Sequence, residues 1–183
     1  WGNPSSLHQE GRRARQALDE ARERVASFLG ADHYSQILFT SGGTEANQLA
    51  VQGAVRARKK EGRTRLLVSA VEHPSVLEAA RALRAEGIQV DVSPVDGEGR
   101  IRLEALRELL DRRVALVAVM AANNETGALQ PIEEVVALSH GVGAWVHCDA
   151  VQMAGQLPFS VSRRGGDFLS ISSHKIYGPK GMG

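Results

Sequence analysis

The chain has 183 residues, of which 43% are hydrophobic and 23% charged, and its 22 basic and 21 acidic side chains nearly cancel. That composition excludes a disordered or low-complexity chain and gives no electrostatic support to a nucleic-acid or membrane-surface partner. No apolar run approaches the roughly 20 residues a membrane helix needs; the one cysteine, Cys148, allows no internal disulfide and favours a reducing, cytoplasmic compartment.

Trp1-Gly2-Asn3-Pro4 opens the chain without a signal-peptide pattern. Residues 11–29 carry Ala14, Leu18, Ala21, Val25, Phe28 and Leu29 at helical spacing, with Gly30 as the C-terminal cap. Ile37–Thr40 is a short apolar run that predicts a buried strand. Residues 43–60 predict a helix whose packed face holds Ala46, Leu49, Ala50, Gly53, Ala54 and Ala57. The basic stretch 56–65 reads as a solvated helix end, because cations suit a helix C-terminus and no aromatics interleave it. Leu66–Ala70 predicts a second strand. Pro74 suits the first turn of a helix that runs to Glu86 and stops at Gly87. Ile88–Val92 predicts a third strand, 101–110 an amphipathic helix, and Val114–Met120 a fourth strand, apolar throughout. Pro131 begins another helix. Trp145–Cys148 and Phe168–Ile171 complete the strands. The closing Gly178-Pro179-Lys180-Gly181-Met182-Gly183 is turn chemistry of the kind that leads into another element, so the chain reads as a piece of a longer protein.

Strands alternating with helices predict an α/β fold: a mainly parallel sheet with helices on both faces. No linker, repeat or internal boundary interrupts it, so residues 1–183 read as one domain.

In such sheets ligands bind beyond the carboxyl ends of the strands, and five strand ends carry chemically capable residues. Ser41-Gly42-Gly43-Thr44 opens a helix with glycines that admit a close ligand, N–H groups and a helix dipole, which makes an anion site; the same residues serve equally as a helix cap. His73 follows the second strand and is open to a capping role. Asn123-Asn124 follows the fourth and is also ordinary turn chemistry. Asp149 ends an apolar strand, where a carboxylate needs a partner; it is equally open to a helix-capping role, and Gln152 lies one helical turn on. Lys175 lies in Ser172-Ser173-His174-Lys175; it is either an exposed loop residue or a desolvated nucleophilic amine. Cys148 reads as a structural thiol. His147-Cys148-Asp149 is not a metal site, because neighbouring strand residues face opposite ways, and no metal is expected. An anion cradle, an amine, a carboxylate and a flat imidazole together fit pyridoxal 5'-phosphate, whose phosphate, aldehyde and ring nitrogen need those groups.

The chain resembles the cysteine desulfurases, a branch of the class V aminotransferases among the fold-type I pyridoxal-phosphate enzymes. The matching stretches are Gly2-Asn3-Pro4-Ser5-Ser6 with His8, Phe39-Thr40-Ser41-Gly42-Gly43-Thr44-Glu45, Glu72-His73, Asn123-Asn124-Glu125-Thr126-Gly127, His147-Cys148-Asp149-Ala150-Val151-Gln152 and Ser172 through Gly181. They span nearly the whole chain, in the family's order. The closing Gly-Pro-Lys-Gly is similar to the branch that serves iron–sulfur cluster assembly.

The resemblance implies the large cofactor domain of the fold-type I transferase fold, without the small domain. It implies that Lys175 binds the cofactor's aldehyde and moves protons, and that Asp149 pairs with the ring nitrogen. Gln152 then bonds the phenolic oxygen, and His73 stacks on the ring and shuttles protons. Asn124 serves the cofactor and the substrate carboxylate, and Gly43, Thr44, Ser172 and His174 hold the phosphate. It further implies L-cysteine as substrate, L-alanine and an enzyme persulfide as products, a sulfur-acceptor or iron–sulfur scaffold protein as partner, and a homodimer. The family's persulfide-forming cysteine and carboxylate-binding arginine lie beyond Gly183, so these residues in isolation are expected to be inactive. Selenocysteine lyase, other class V aminotransferases and a non-catalytic cofactor-binding fragment are the alternative readings.

Overall fold

The computed structural model describes residues 2–157 and 166–183; Trp1, part of the opening motif, lies outside them. The described residues fall into two compact units, 2–39 and 40–157 with 166–183.

In the first unit, helix α1 (Gln9–Leu29) starts where the His8 side chain accepts a hydrogen bond from the Gly11 N–H and ends at Gly30. Gly30 has φ 68°, the left-handed cap that glycine adopts without a Cβ penalty. Ala26 and Leu29 are buried, but Phe28, expected on the packed stripe, is 52% exposed. A short 3₁₀ turn, Tyr34–Gln36, follows.

The second unit is built on five parallel strands in the order β2-β1-β3-β4-β5. These are β1 (Arg65–Ser69), β2 (Gln89–Ser93), β3 (Val114–Met120), β4 (Trp145–Asp149) and β5 (Phe168–Ser170). Helix α2 (Gly43–Lys59) precedes β1, and α3 (Pro74–Ala85), α4 (Leu103–Leu109) and α5 (Ile132–Gly141) connect β1 to β2, β2 to β3 and β3 to β4. The expected mainly parallel α/β architecture is present. Every residue of β1 and β3 is buried, which is why β3 and the middle of β1, Leu66–Val68, are apolar runs rather than alternating. One core joins Val51, Ala54 and Val55 of α2 and Val76, Ala79, Ala80 and Leu83 of α3 to Leu66, Val68, Leu116 and Ala118 of the sheet. Leu67 and Val117 alternate with these residues and are equally buried on the other face.

Three expectations need correction. Ile37–Thr40 is not a strand: Thr40 exchanges its backbone hydrogen bonds with Gly183, and one such pair does not extend into a ladder. The packed face of α2 is Asn47, Val51, Ala54 and Val55, while Leu49, Gly53 and Ala57 are exposed; only Ala54 was placed there by the sequence. The basic stretch is not simply solvated. Arg56 pairs with Glu86 at 2.6 Å, Arg58 lies 4.5 Å above the Trp145 ring, and Arg63 donates to the carbonyls of Val114 and Val142. These cations tie the end of α2 to the amino end of the sheet.

No helix among the described residues is long and apolar enough to cross a membrane.

Candidate cofactor site

The carboxyl ends of β1, β3, β4 and β5 open, with the start of α2, onto one cleft of ≈ 250 Å³. All nine residues assigned to a cofactor from the sequence line it: Gly43 and Thr44 from α2, His73 after β1, Asn124 after β3, Asp149 and Gln152 at and after β4, and Ser172, His174 and Lys175 after β5. The edge strand β2 contributes nothing to the cleft: after it, Asp96 accepts from the N–H groups of Glu98 and Arg100 in a closed turn.

Local chemistry decides which residue of each motif faces the cleft. At the start of α2, Glu45 accepts hydrogen bonds from the Ser41 N–H and hydroxyl at 2.6 and 2.7 Å. Ser41 is thereby engaged, and Gly43 and Thr44 remain at the positive end of the helix. A Cβ on Gly43 would lie 3.1 Å from the Val151 side chain and 3.3 Å from Ser172 Cβ, so glycine is needed there for close approach rather than for an unusual φ. Ser172 Oγ and His174 Nδ1 lie 2.8 Å apart. Gly43, Thr44, Ser172 and His174 also border a shallower hollow of ≈ 360 Å³, so one polar group is shared by both concavities. After β3, Asn123 does the turn work, accepting from the N–H groups of Glu125 and Thr126 and donating to the Val71 carbonyl. Asn124 is left to line the cleft.

Asp149 is 6% exposed. Its Oδ1 accepts from the Val151 N–H at 3.0 Å and its Oδ2 from Asn47 Nδ2 at 2.7 Å, and among the described residues it makes no ion pair. Its neighbour His147 does not supply a cation: burial pushes that imidazole's pKa down, the Asp149 charge opposing only in part. A buried carboxylate facing a cleft with no cation of its own fits a ligand that brings a protonated nitrogen. Nearby Glu72 is also buried. Burial, and to a lesser degree the Asp149 charge, raise its pKa to about 8 against the hydrogen bond it accepts from the Met120 N–H. Lys175 lines the cleft yet is exposed, so of the two sequence alternatives the loop placement describes it and the desolvated one does not. Cys148 is fully buried, and burial pushes its thiol pKa well up, consistent with a structural role. Among the described residues no group of three or more His, Cys, Asp or Glu is placed to hold a metal.

The sequence reading missed Asn47, Ser75 and Met120, which also line the cleft. Asn47 lies one turn after Gly43 and one before Val51 on α2, so the buried spacing of that helix was the available signal.

Fold and cleft define an α/β protein in which a helix start, a buried carboxylate and a lysine line one cleft at the carboxyl edge of its sheet. The family model described as Aminotransferase class-V matches residues 1–183, and the chain belongs to that family. Among curated relatives, it is 48% identical over 184 residues to a cysteine desulfurase of Cereibacter sphaeroides, covering 100% of this chain and 47% of that protein. Among solved structures, a NifS-like protein superposes with TM-score 0.93 at 39% identity, covering 99% of this chain and 50% of the other. SspA in complex with cysteine superposes with TM-score 0.91 at 36% identity, covering 100% and 52%. The chain thus spans about half the length of the relatives it matches.

Proposed function

We propose that the full-length protein carrying this chain is a pyridoxal-phosphate-dependent cysteine desulfurase that converts L-cysteine to L-alanine and passes the sulfur to an enzyme thiol. The observation that carries the reading is the convergence of an anion-binding helix start, an uncompensated carboxylate and a lysine on one cleft, in a chain 48% identical to a cysteine desulfurase. The solved neighbour that holds cysteine supports the substrate class.

The residues present fit the cofactor. Gly43, Thr44, Ser172 and His174 would hold its phosphate, Asp149 its protonated ring nitrogen, and Gln152 and Asn124 its phenolic oxygen. His73 would lie against the ring, and Asn124 would also meet the substrate carboxylate. When bound, pyridoxal phosphate supplies an electron sink for charge developing at the amino acid's α-carbon. The chain's own work is to hold and move protons around that sink. Asp149, fixed by Asn47 and the Val151 N–H, keeps a negative charge where the sink needs a proton retained. Lys175 offers an amine as nucleophile and proton carrier. His73 offers a second proton-carrying nitrogen. Cys148, buried in β4, is not the sulfur acceptor; we place that thiol, and an arginine for the substrate carboxylate, in the half of the protein these residues do not span. Residues 1–183 accordingly form the cofactor domain of a cytoplasmic homodimer that hands sulfur to an acceptor or iron–sulfur scaffold protein.

The test is turnover. The full-length protein with pyridoxal phosphate should release L-alanine and transferable sulfur from L-cysteine in equal amounts, and Lys175→Ala should abolish both. Alanine without sulfur transfer, or undiminished activity in the lysine variant, would overturn the reading.

A further inference from the structure

We infer that Asn47 and Ser75 are positioning residues that join Asp149 to His73 through one buried hydrogen-bonded chain and hold the His73 proton on Nε2. The inference rests on the proposed function only in assigning work to Asp149 and His73; the hydrogen-bonded chain itself is a property of the protein.

The direction of every bond follows from chemistry. A carboxylate can only accept, so the atom of Asn47 that lies 2.7 Å from Asp149 Oδ2 is its NH₂ nitrogen. The second proton of that amide goes to Ser75 Oγ at 2.9 Å. The Ser75 hydroxyl lies 2.7 Å from His73 Nδ1; because the Ser75 backbone N–H, at 3.2 Å, makes that nitrogen an acceptor, the hydroxyl meets it as a second donor. Two donors aimed at one ring nitrogen leave it bare, and the proton of the neutral ring sits on Nε2.

Helix capping explains part of this arrangement but not all. His73 is the N-cap of α3, and the Ser75 N–H contact is the capping bond. A cap does not need the serine hydroxyl, and it does not need an asparagine from another helix. Asn47 is 1% exposed on the apolar face of α2, and its Oδ1 has no partner among the described residues. A buried amide with half its bonding unmet is costly; here it faces Asp149 and Ser75, where it orients the carboxylate and, through the hydroxyl, the imidazole.

The direct test reads the ring nitrogens of His73 by two-bond ¹H–¹⁵N correlation in the full-length, cofactor-free protein labelled with ¹⁵N-histidine. His73→Gln assigns the signal by removing it. The unaltered protein should show a bare Nδ1 and a protonated Nε2. Ser75→Ala and Asn47→Leu should each give a mixture of tautomers, and Ser75→Thr, which keeps the hydroxyl, should restore the single form. In the cofactor-loaded enzyme the same two variants should lose kcat by about 10- to 100-fold, the range seen when groups that orient a site's ligands are removed, with KM little changed. Protonation of Nδ1 in the unaltered protein, a signal unmoved by both substitutions, or a tautomer change with kcat intact would each overturn the inference. Failure of the unaltered protein to take up pyridoxal phosphate would instead overturn the proposed function, since the tautomer measurement is made without the cofactor.

Discussion

At the amino end of β1, Arg65 is 7% exposed and fully answered: Asp91 and Asp111 lie 2.7 and 2.8 Å away, and the Leu109 carbonyl accepts a further hydrogen bond. At the carboxyl end of β4, Asp149 is 6% exposed, and the groups around it are an amide and a backbone N–H. Both are buried charges in the same sheet. The first is satisfied by opposite charge, which is what stability asks of a buried ion. The second is oriented but left uncompensated, with the carboxyl of Glu72 and the thiol of Cys148 both feeling its charge. The difference separates a charge that serves the fold from one held ready for a ligand.

That contrast is broken most severely at Asp149. Asp149→Ala should retain the fold by circular dichroism and lose roughly 10²- to 10⁴-fold in turnover of L-cysteine, the scale of a positioned proton-handling group; near-normal turnover would remove the distinction. Arg65→Met should do the reverse. It strands two partly exposed aspartates and should cost about 1–3 kcal/mol of stability by urea denaturation, with kcat per folded molecule unchanged.

Glu72→Gln sharpens the comparison through pH. The native carboxyl, normally near 4.5, holds its proton up to about 8, while the unfolded chain releases it near the ordinary value. Unfolding therefore releases a proton between those pH values, and this group's stabilising contribution is complete below about pH 4.5 and lost as pH rises to about 8. Denaturation series should show Gln removing a slope of roughly 1.4 kcal/mol per pH unit in that window, and parallel curves would contradict the assignment. The smallest effect belongs to Cys148→Ala, which should cost about 1 kcal/mol or less in thermal stability and leave sulfur transfer intact. Loss of transfer would make Cys148 the acceptor.

Much of this was legible in the sequence because buried parallel strands write themselves as apolar runs. Val114–Met120 and the stretch ending at Asp149 could be read directly, and the polar residues after them marked the cleft. What was not legible required three dimensions. Ile37–Thr40 has strand composition, yet Ile37 donates back to Tyr34 and Thr40 exchanges its backbone hydrogen bonds with Gly183, a pairing that no local pattern specifies. Helix α2 is rich in small residues, so its alanines and glycines gave little contrast, and Asn47 could be found only through its spacing from Gly43 and Val51. Ser75 was invisible for a related reason: a serine just inside a helix after His-Pro is ordinary capping chemistry, and only the packing of α2 against α3 gives its hydroxyl a further partner.

The account stands or falls on where the cofactor attaches. Borohydride reduction of the full-length protein loaded with pyridoxal phosphate, followed by peptide mapping, should place a single stable adduct on Lys175. An adduct on Lys59, Lys60 or Lys180, with Lys175 unmodified, would contradict it.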